Sequence, residues 1–212
     1  MAVRSVASLG FCAALLGSCG PKALVLPDDP IERAATCGAV AAASERSKTD
    51  FDSPLSLEAI GRVIHYPMLA ASTGDSYSAD TAAKVQERMT ELQDAVVESK
   101  WQDLIPACSA EFPATAVETV TLPESRFEAQ LGCDELADFL RSSLEARDEY
   151  LNELGEYRRL SNKLEPALAA GIRSHVGSQT AAQQAERRKM LATMAKAGPP
   201  VAVMRQCLTR FG

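Results

Sequence analysis

The stretch PMLAASTGDSYSADTAAKVQERMTELQDAVVESKWQDLIPACSAEF, Pro67 to Phe112, returns 99 residues later without a gap as PALAAGIRSHVGSQTAAQQAERRKMLATMAKAGPPVAVMRQCLTRF, Pro166 to Phe211. Pro67 falls on Pro166, Leu69-Ala70-Ala71 on Leu168-Ala169-Ala170, and Thr81-Ala82-Ala83 on Thr180-Ala181-Ala182. Glu87-Arg88 falls on Glu186-Arg187, Leu92 on Leu191, Cys108 on Cys207 and Phe112 on Phe211. These 12 identities in 46 positions include a rare cysteine and a phenylalanine in register, more than an Ala-rich composition gives by chance. The pattern reads as an internal duplication, and one copy should be one fold unit.

Composition sets the fold class. Of the 212 residues 46% are hydrophobic but only 5% aromatic, and Ala supplies much of the apolar content. Closely packed Ala-rich helices fit this better than strands, which draw on Val, Ile, Thr and aromatics. The expected class is all-α. A formal charge of -6 argues against nucleic acid as a partner, because displacing phosphate counterions needs a basic face.

The helices can be placed by their boundary signals. Asp29-Pro30 is an N-cap followed by proline at the first helical position, so a first helix should run to about Arg46. A second is expected from about Leu57 to Ala71, with Pro67 inside it. Ala82, Val85, Met89, Leu92 and Val96 recur at spacings of three and four and define the third, capped by Ser78 or Asp80. A short helix from Trp101 to Phe112 contains Pro106, which either kinks it or marks its start. Val117 to Leu122 alternates like a strand but has no partner, and residues 114–122 are expected to be a linker. In the second copy Phe127, Leu131, Leu136, Leu140, Leu144, Leu151, Leu154 and Leu164 continue one stripe. That predicts a single helix of about 40 residues, about 60 Å long. Helices from Ser178 to Ala197 and on to Phe211 complete the chain.

The N-terminus is a processing signal rather than part of the fold. Arg4 precedes an apolar run, Ser5 to Leu16, that is too short to span a bilayer. Leu16-Gly17-Ser18-Cys19 resembles the lipobox of bacterial lipoproteins, in which a cysteine after two small residues is acylated and becomes the mature N-terminus. Cys12 does not match, since Phe11 stands where a small residue is required. The resemblance implies a signal peptide over residues 1–18, a lipid on Cys19 and a membrane attachment through that lipid. Gly20 in the next position implies the outer membrane, facing the periplasm; the alternative is an ordinary secretory signal with a chance cysteine, which leaves the chain soluble in the periplasm or secreted. Residues 19–29, with Pro21 and Pro27 and no periodicity, are the expected tether.

With Cys12 removed and Cys19 acylated, Cys37, Cys108, Cys133 and Cys207 remain, an even number for an oxidising compartment. Four cysteines allow three pairings. The duplication favours Cys37 with Cys108 and Cys133 with Cys207, so that each copy, residues 30–113 and 123–212, closes on itself. Cys37 lies 35 residues before Ser72 and Cys108 lies 30 after Ser78; Cys133 lies 38 before Gly171 and Cys207 30 after Gly177. Arms of similar length folding back from a central turn bring each pair together. Two tandem disulfide-stapled helical hairpins packed as a bundle follow, either as tall arms or as a compact set of eight helices.

No motif in the sequence carries chemistry. His65 and His175 have no ligand or acid-base partner at helical spacing and read as surface or partly buried residues. No C-x-x-C or C-x-x-C-H occurs to hold zinc or haem, no G-x-S-x-G to carry a nucleophile, and no glycine-rich phosphate loop. Met190 and Met194 read as core filler. Glu87-Arg88 and Glu186-Arg187 could face each other across the two copies, or form ordinary ion pairs. No cofactor, metal ligand or catalytic residue is assigned. The expected role is non-enzymatic: a helical interaction or structural module of the cell envelope with a protein partner there. The alternative is a small-ligand carrier or enzyme with its site in the groove between the copies. Any functional surface is expected where the copies differ, at Ser72 to Ser78 and Gly171 to Gly177.

Overall fold

The computed structural model describes residues 25–50 and 52–212. The signal segment 1–18, Cys19 and the tether up to residue 24 lie outside the described residues. Within them the chain is all-helical: α1 (Pro30–Arg46), α2 (Leu57–Ala70), α3 (Ala79–Val97), α4 (Ile105–Glu111), α5 (Arg126–Leu144), α6 (Leu151–His175), α7 (Thr180–Ala197) and α8 (Pro200–Phe211). Polar caps set several starts. The Asp29 carboxylate accepts from the N–H groups of Ile31 at 2.9 Å and Glu32 at 3.0 Å, with Pro30 next in the chain. Ser56 and Ser78 cap α2 and α3 in the same manner. Pro106 stands in the first turn of α4, behind a separate 3-10 turn at Trp101–Leu104. Along α3, Val85 and Val96 are buried and Ala82, Met89 and Leu92 are half-buried, so the stripe faces inward.

The single helix of about 40 residues is corrected. The leucine stripe continues, but the helix breaks between Leu144 and Leu151, and a 3-10 turn at Asp148–Tyr150 intervenes. A distant contact accounts for the break. The Tyr150 hydroxyl donates to the carbonyl of Leu55 at 2.6 Å in a buried position, which pins the α5–α6 connection to the α1–α2 connection. α6 then returns along α5, and Leu136, Leu140, Leu144, Leu154, Leu160 and Leu164 share one core. The eight helices are therefore packed compactly rather than extended as arms.

The core is unevenly divided. Its largest cluster takes apolar residues from α2 as well as from α5 to α8. Two smaller clusters serve the rest: one around Cys37, Val40, Tyr66, Val96, Leu104 and Cys108, another around Ala34, Ala35, Ala70 and Val85. α2 is thus shared, with one face on α1 and α3 and another on α7 and α8.

Cys37 is bonded to Cys108, joining α1 to α4, and Cys133 to Cys207, joining α5 to α8, with Cα separations of 5.4 and 5.7 Å. All four sulfurs belong to buried residues. Buried structural disulfides point to an extracytoplasmic, non-reducing location. Among the described residues no helix is long and apolar enough to cross a membrane.

Small residues let the helices approach closely beside the bridges. A Cβ on Gly132 of α5 would lie 2.7 Å from Met194 Sδ and 2.8 Å from its Cγ, and Met194 is fully buried. Gly132→Ala should lose about 1–2 kcal/mol, because overpacking outweighs the gain of about 1 kcal/mol in helix propensity. At Gly155 of α6 the nearest atom to such a Cβ is the end of Arg159, 3.7 Å away. Gly155→Ala should therefore stabilise by about 0.5–1 kcal/mol. Urea denaturation of the two variants beside the parent checks the opposite signs.

Candidate functional site

α1 carries a face of small residues. Ala39, Ala42, Ala43 and Arg46 follow the i, i+3, i+4, i+7 pattern of one helix face, and they floor a cleft of about 390 Å³. Leu55, Ile60, Val63, Val97 and Trp101 also line it, together with the polar Ser47 and Gln93. Alanine leaves the trough open, where Leu at the same positions would fill it. Val97 is 58% exposed, an unusual position for a large apolar side chain at the end of a helix that otherwise buries its stripe.

Among the described residues two guanidinium groups supply all the charge of the lining: Arg46, from the last turn of α1, and Arg147, from the α5–α6 connection. The Tyr150 contact with Leu55 places Arg147 there, since it holds the connection against the α1–α2 loop. Burial raises the Tyr150 hydroxyl above its usual range; Arg147 and Arg46 oppose the shift, while Glu149 and Glu153 add to it. Arg46 donates through Nη1 to the Ser53 carbonyl at 2.7 Å and pairs with no carboxylate among the described residues. Among the described residues Arg147 pairs only with Glu149, at 3.6 Å. Glu45, the neighbour of Arg46, is engaged elsewhere. It accepts from Arg62 at 2.9 and 2.8 Å and from Lys48 at 3.0 Å. The Arg62 hydrogen bonds, helped by Lys48, hold its carboxyl below the usual range despite burial.

Several sequence expectations change. His65 is neither at the surface nor partly buried: its residue exposure is 0%. It stands where α2 meets α7, with Nε2 2.7 Å from the Ala195 carbonyl, which fixes the proton on Nε2, and with Nδ1 buried and unpartnered. Burial pushes its pKa down to about 4, opposed by the bond to Ala195. His175 is exposed and stacks on Phe127, ring centroids 4.5 Å apart. Of the two readings of Glu87-Arg88 and Glu186-Arg187, the ordinary ion pairs hold, and the two pairs do not face each other. Arg88 reaches from α3 to Glu32 of α1 at 2.7 Å, while Arg187 reaches from α7 to Asp134 and Glu135 of α5. Burial raises the carboxyls of Asp134 and Glu135, against the opposing pull of Arg187.

The turn from Ser72 to Ser78 is not a free tip either. Tyr77 N–H donates to the Arg188 carbonyl at 3.0 Å, the Tyr77 ring packs edge-on to Phe139, and Lys196 Nζ donates to the Gly74 carbonyl at 2.7 Å. The segment is a joint between the first four helices and the last four. Met190 and Met194 are core residues.

The cleft was not anticipated from sequence. Its one legible sign is the alanine face of α1 ending in an arginine; the contribution of Arg147 depends on a contact 95 residues apart in sequence. No family model matches the chain, and no curated protein or solved structure matches it.

Proposed function

We propose that this chain is a non-enzymatic helical module of the bacterial cell envelope, tethered by a lipid on Cys19 to the outer membrane and facing the periplasm, where it binds a protein partner. The observation that carries this reading is the pair of buried bridges, Cys37–Cys108 and Cys133–Cys207, in a chain whose Leu16-Gly17-Ser18-Cys19 resembles a lipobox. Disulfides that need an oxidising compartment and a lipobox-like sequence together support an envelope location. One acyl chain anchors only marginally, so stable attachment requires several chains on the terminal cysteine.

We infer further that the two halves are copies of one four-helix unit. The shift of 99 residues that aligns the sequences carries Pro67 in α2 onto Pro166 in α6, and Thr81 in the first turns of α3 onto Thr180 at the start of α7. It also carries Cys108 in α4 onto Cys207 in α8. A unit that leaves apolar surface on its second helix gains by pairing with another copy, which fits the position of α2 in the larger core.

Cys19→Ser should move the protein from the membrane to the soluble envelope fraction. Continued co-sedimentation with membranes would refute the lipid anchor. In-cell crosslinking with mass spectrometry of captured proteins then tests the partner: the parent should crosslink reproducibly to an envelope protein, and a chain that captures none has no such role. A second reading, a small-ligand carrier, is favoured by the cleft, whose lining comes from the first half apart from Arg147.

A further inference from the structure

We propose that the cleft over α1 binds a single-chain anionic amphiphile, a medium-chain fatty acid being the simplest, with its alkyl chain on the alanine floor and its head group between Arg46 and Arg147. Three features converge on this class of ligand. The lining residues from Ala39 to Arg46 span about 10 Å of helix at 1.5 Å per residue, a length suited to an alkyl chain. The rest of its lining is mainly aliphatic, with the Trp101 indole and the polar Ser47 and Gln93 among it, and its volume of about 390 Å³ falls in the range of small-ligand sites, about 300–1,000 Å³.

The charge is the third feature and the most selective. In a chain of net charge -6, the only charged side chains lining this cleft among the described residues are two arginines. One has no carboxylate partner among the described residues and the other has one at 3.6 Å. Guanidinium groups bind carboxylates through paired N–H donors, so an anionic head completes what the protein leaves unmatched. A cationic amphiphile would be repelled, and a neutral one would gain only from the trough.

Trp101 makes the test direct, because it is the only tryptophan in the chain and it lines the cleft. The inference rests on the carrier reading alone, so its failure would leave the tethered module and its partner unaffected. The protein is titrated with decanoate, decanol and decyltrimethylammonium below their micellar concentrations, following Trp101 fluorescence with calorimetry in parallel. Decanoate should give a saturable change at one site per chain. Decanol should bind about tenfold more weakly or worse, decyltrimethylammonium not at all, and Arg46→Gln with Arg147→Gln should weaken decanoate by about tenfold or more. Ala43→Leu, checked for its helical circular dichroism, should block binding by filling the floor. If that variant unfolds, the arginine pair decides alone.

Absence of saturable decanoate binding by both methods would overturn the proposal, as would equal binding of the three amphiphiles or indifference to the arginine substitutions. A response to anionic phospholipid vesicles without one to monomeric decanoate would assign the arginines to a membrane surface instead. Self-association that buries Trp101 and is unaffected by decanoate would assign the cleft to a second copy of the chain.

Discussion

Replacing Cys37 and Cys108 together by alanine is expected to release α1, α3 and α4 from the fold while α2 and α5 to α8 stay folded. The bridge closes a loop across a sequence separation of 71 residues, and the one between Cys133 and Cys207 spans 74. Chain entropy alone therefore assigns each a similar stabilisation, about 4 kcal/mol. The cores they sit in differ. Cys133 and Cys207 belong to the large cluster that also holds the leucines of α5 and α6, whereas Cys37 and Cys108 hold together a small cluster with Val40, Tyr66, Val96 and Leu104. Ion pairs such as Arg88–Glu32 are too exposed to replace the bridge. Hydrogen exchange should show protection lost in α1, α3 and α4 and largely kept in α5 to α8, with a two-step denaturation curve. A single cooperative transition with uniform loss of protection would mean that the halves do not separate in this way.

His65 should make the protein acid-sensitive. Its ring is buried and neutral between α2 and α7, with a folded pKa of about 4 against an ordinary value of 6.5. The unfolded chain therefore takes up the proton first. Stability from this residue is fully present above pH 6.5 and is lost as pH falls from there to about 4, a total of about 3 kcal/mol. His65→Gln removes the titration and can still donate to the Ala195 carbonyl. Its denaturation free energy should fall less than that of the parent between pH 6.5 and 4, by about 3 kcal/mol. Carboxylates such as Glu45, Asp134 and Glu135 titrate in both proteins, so the difference isolates His65. Parallel pH profiles would show that the ring is protonated or solvated in the native state.

The residues that could be read correctly in advance are those whose neighbours are local. Asp29, Ser56 and Ser78 act within one turn of their own helices, and the α3 stripe needs only helical periodicity to place Val85 and Val96 inside. The cysteine pairing was legible because the register of the two stretches matched early and late cysteines in each half. Features set by distant contacts were not. The leucines from Leu131 to Leu164 satisfy one continuous helix equally well, and the break at Tyr150 is decided by a carbonyl in another loop. His65 has a polar side chain and no sequence partner, yet α7 covers it. Ser72 to Ser78 has the composition of an exposed turn, but Tyr77 anchors it to α7 and α5. The cleft combines both kinds: its alanine floor is written in α1, while Arg147 arrives through the Tyr150 contact.

The central claim, an exported chain whose halves are each closed by their own bridge and which is anchored at Cys19, is tested most directly by mass spectrometry of a non-reduced digest of protein taken from envelope fractions. The account predicts a mature chain starting at an acylated Cys19, a peptide pair joining Cys37 to Cys108, and another joining Cys133 to Cys207. An unacylated Cys19 within an intact N-terminus, free thiols at these four positions, or a peptide joining Cys37 to Cys133 would contradict it.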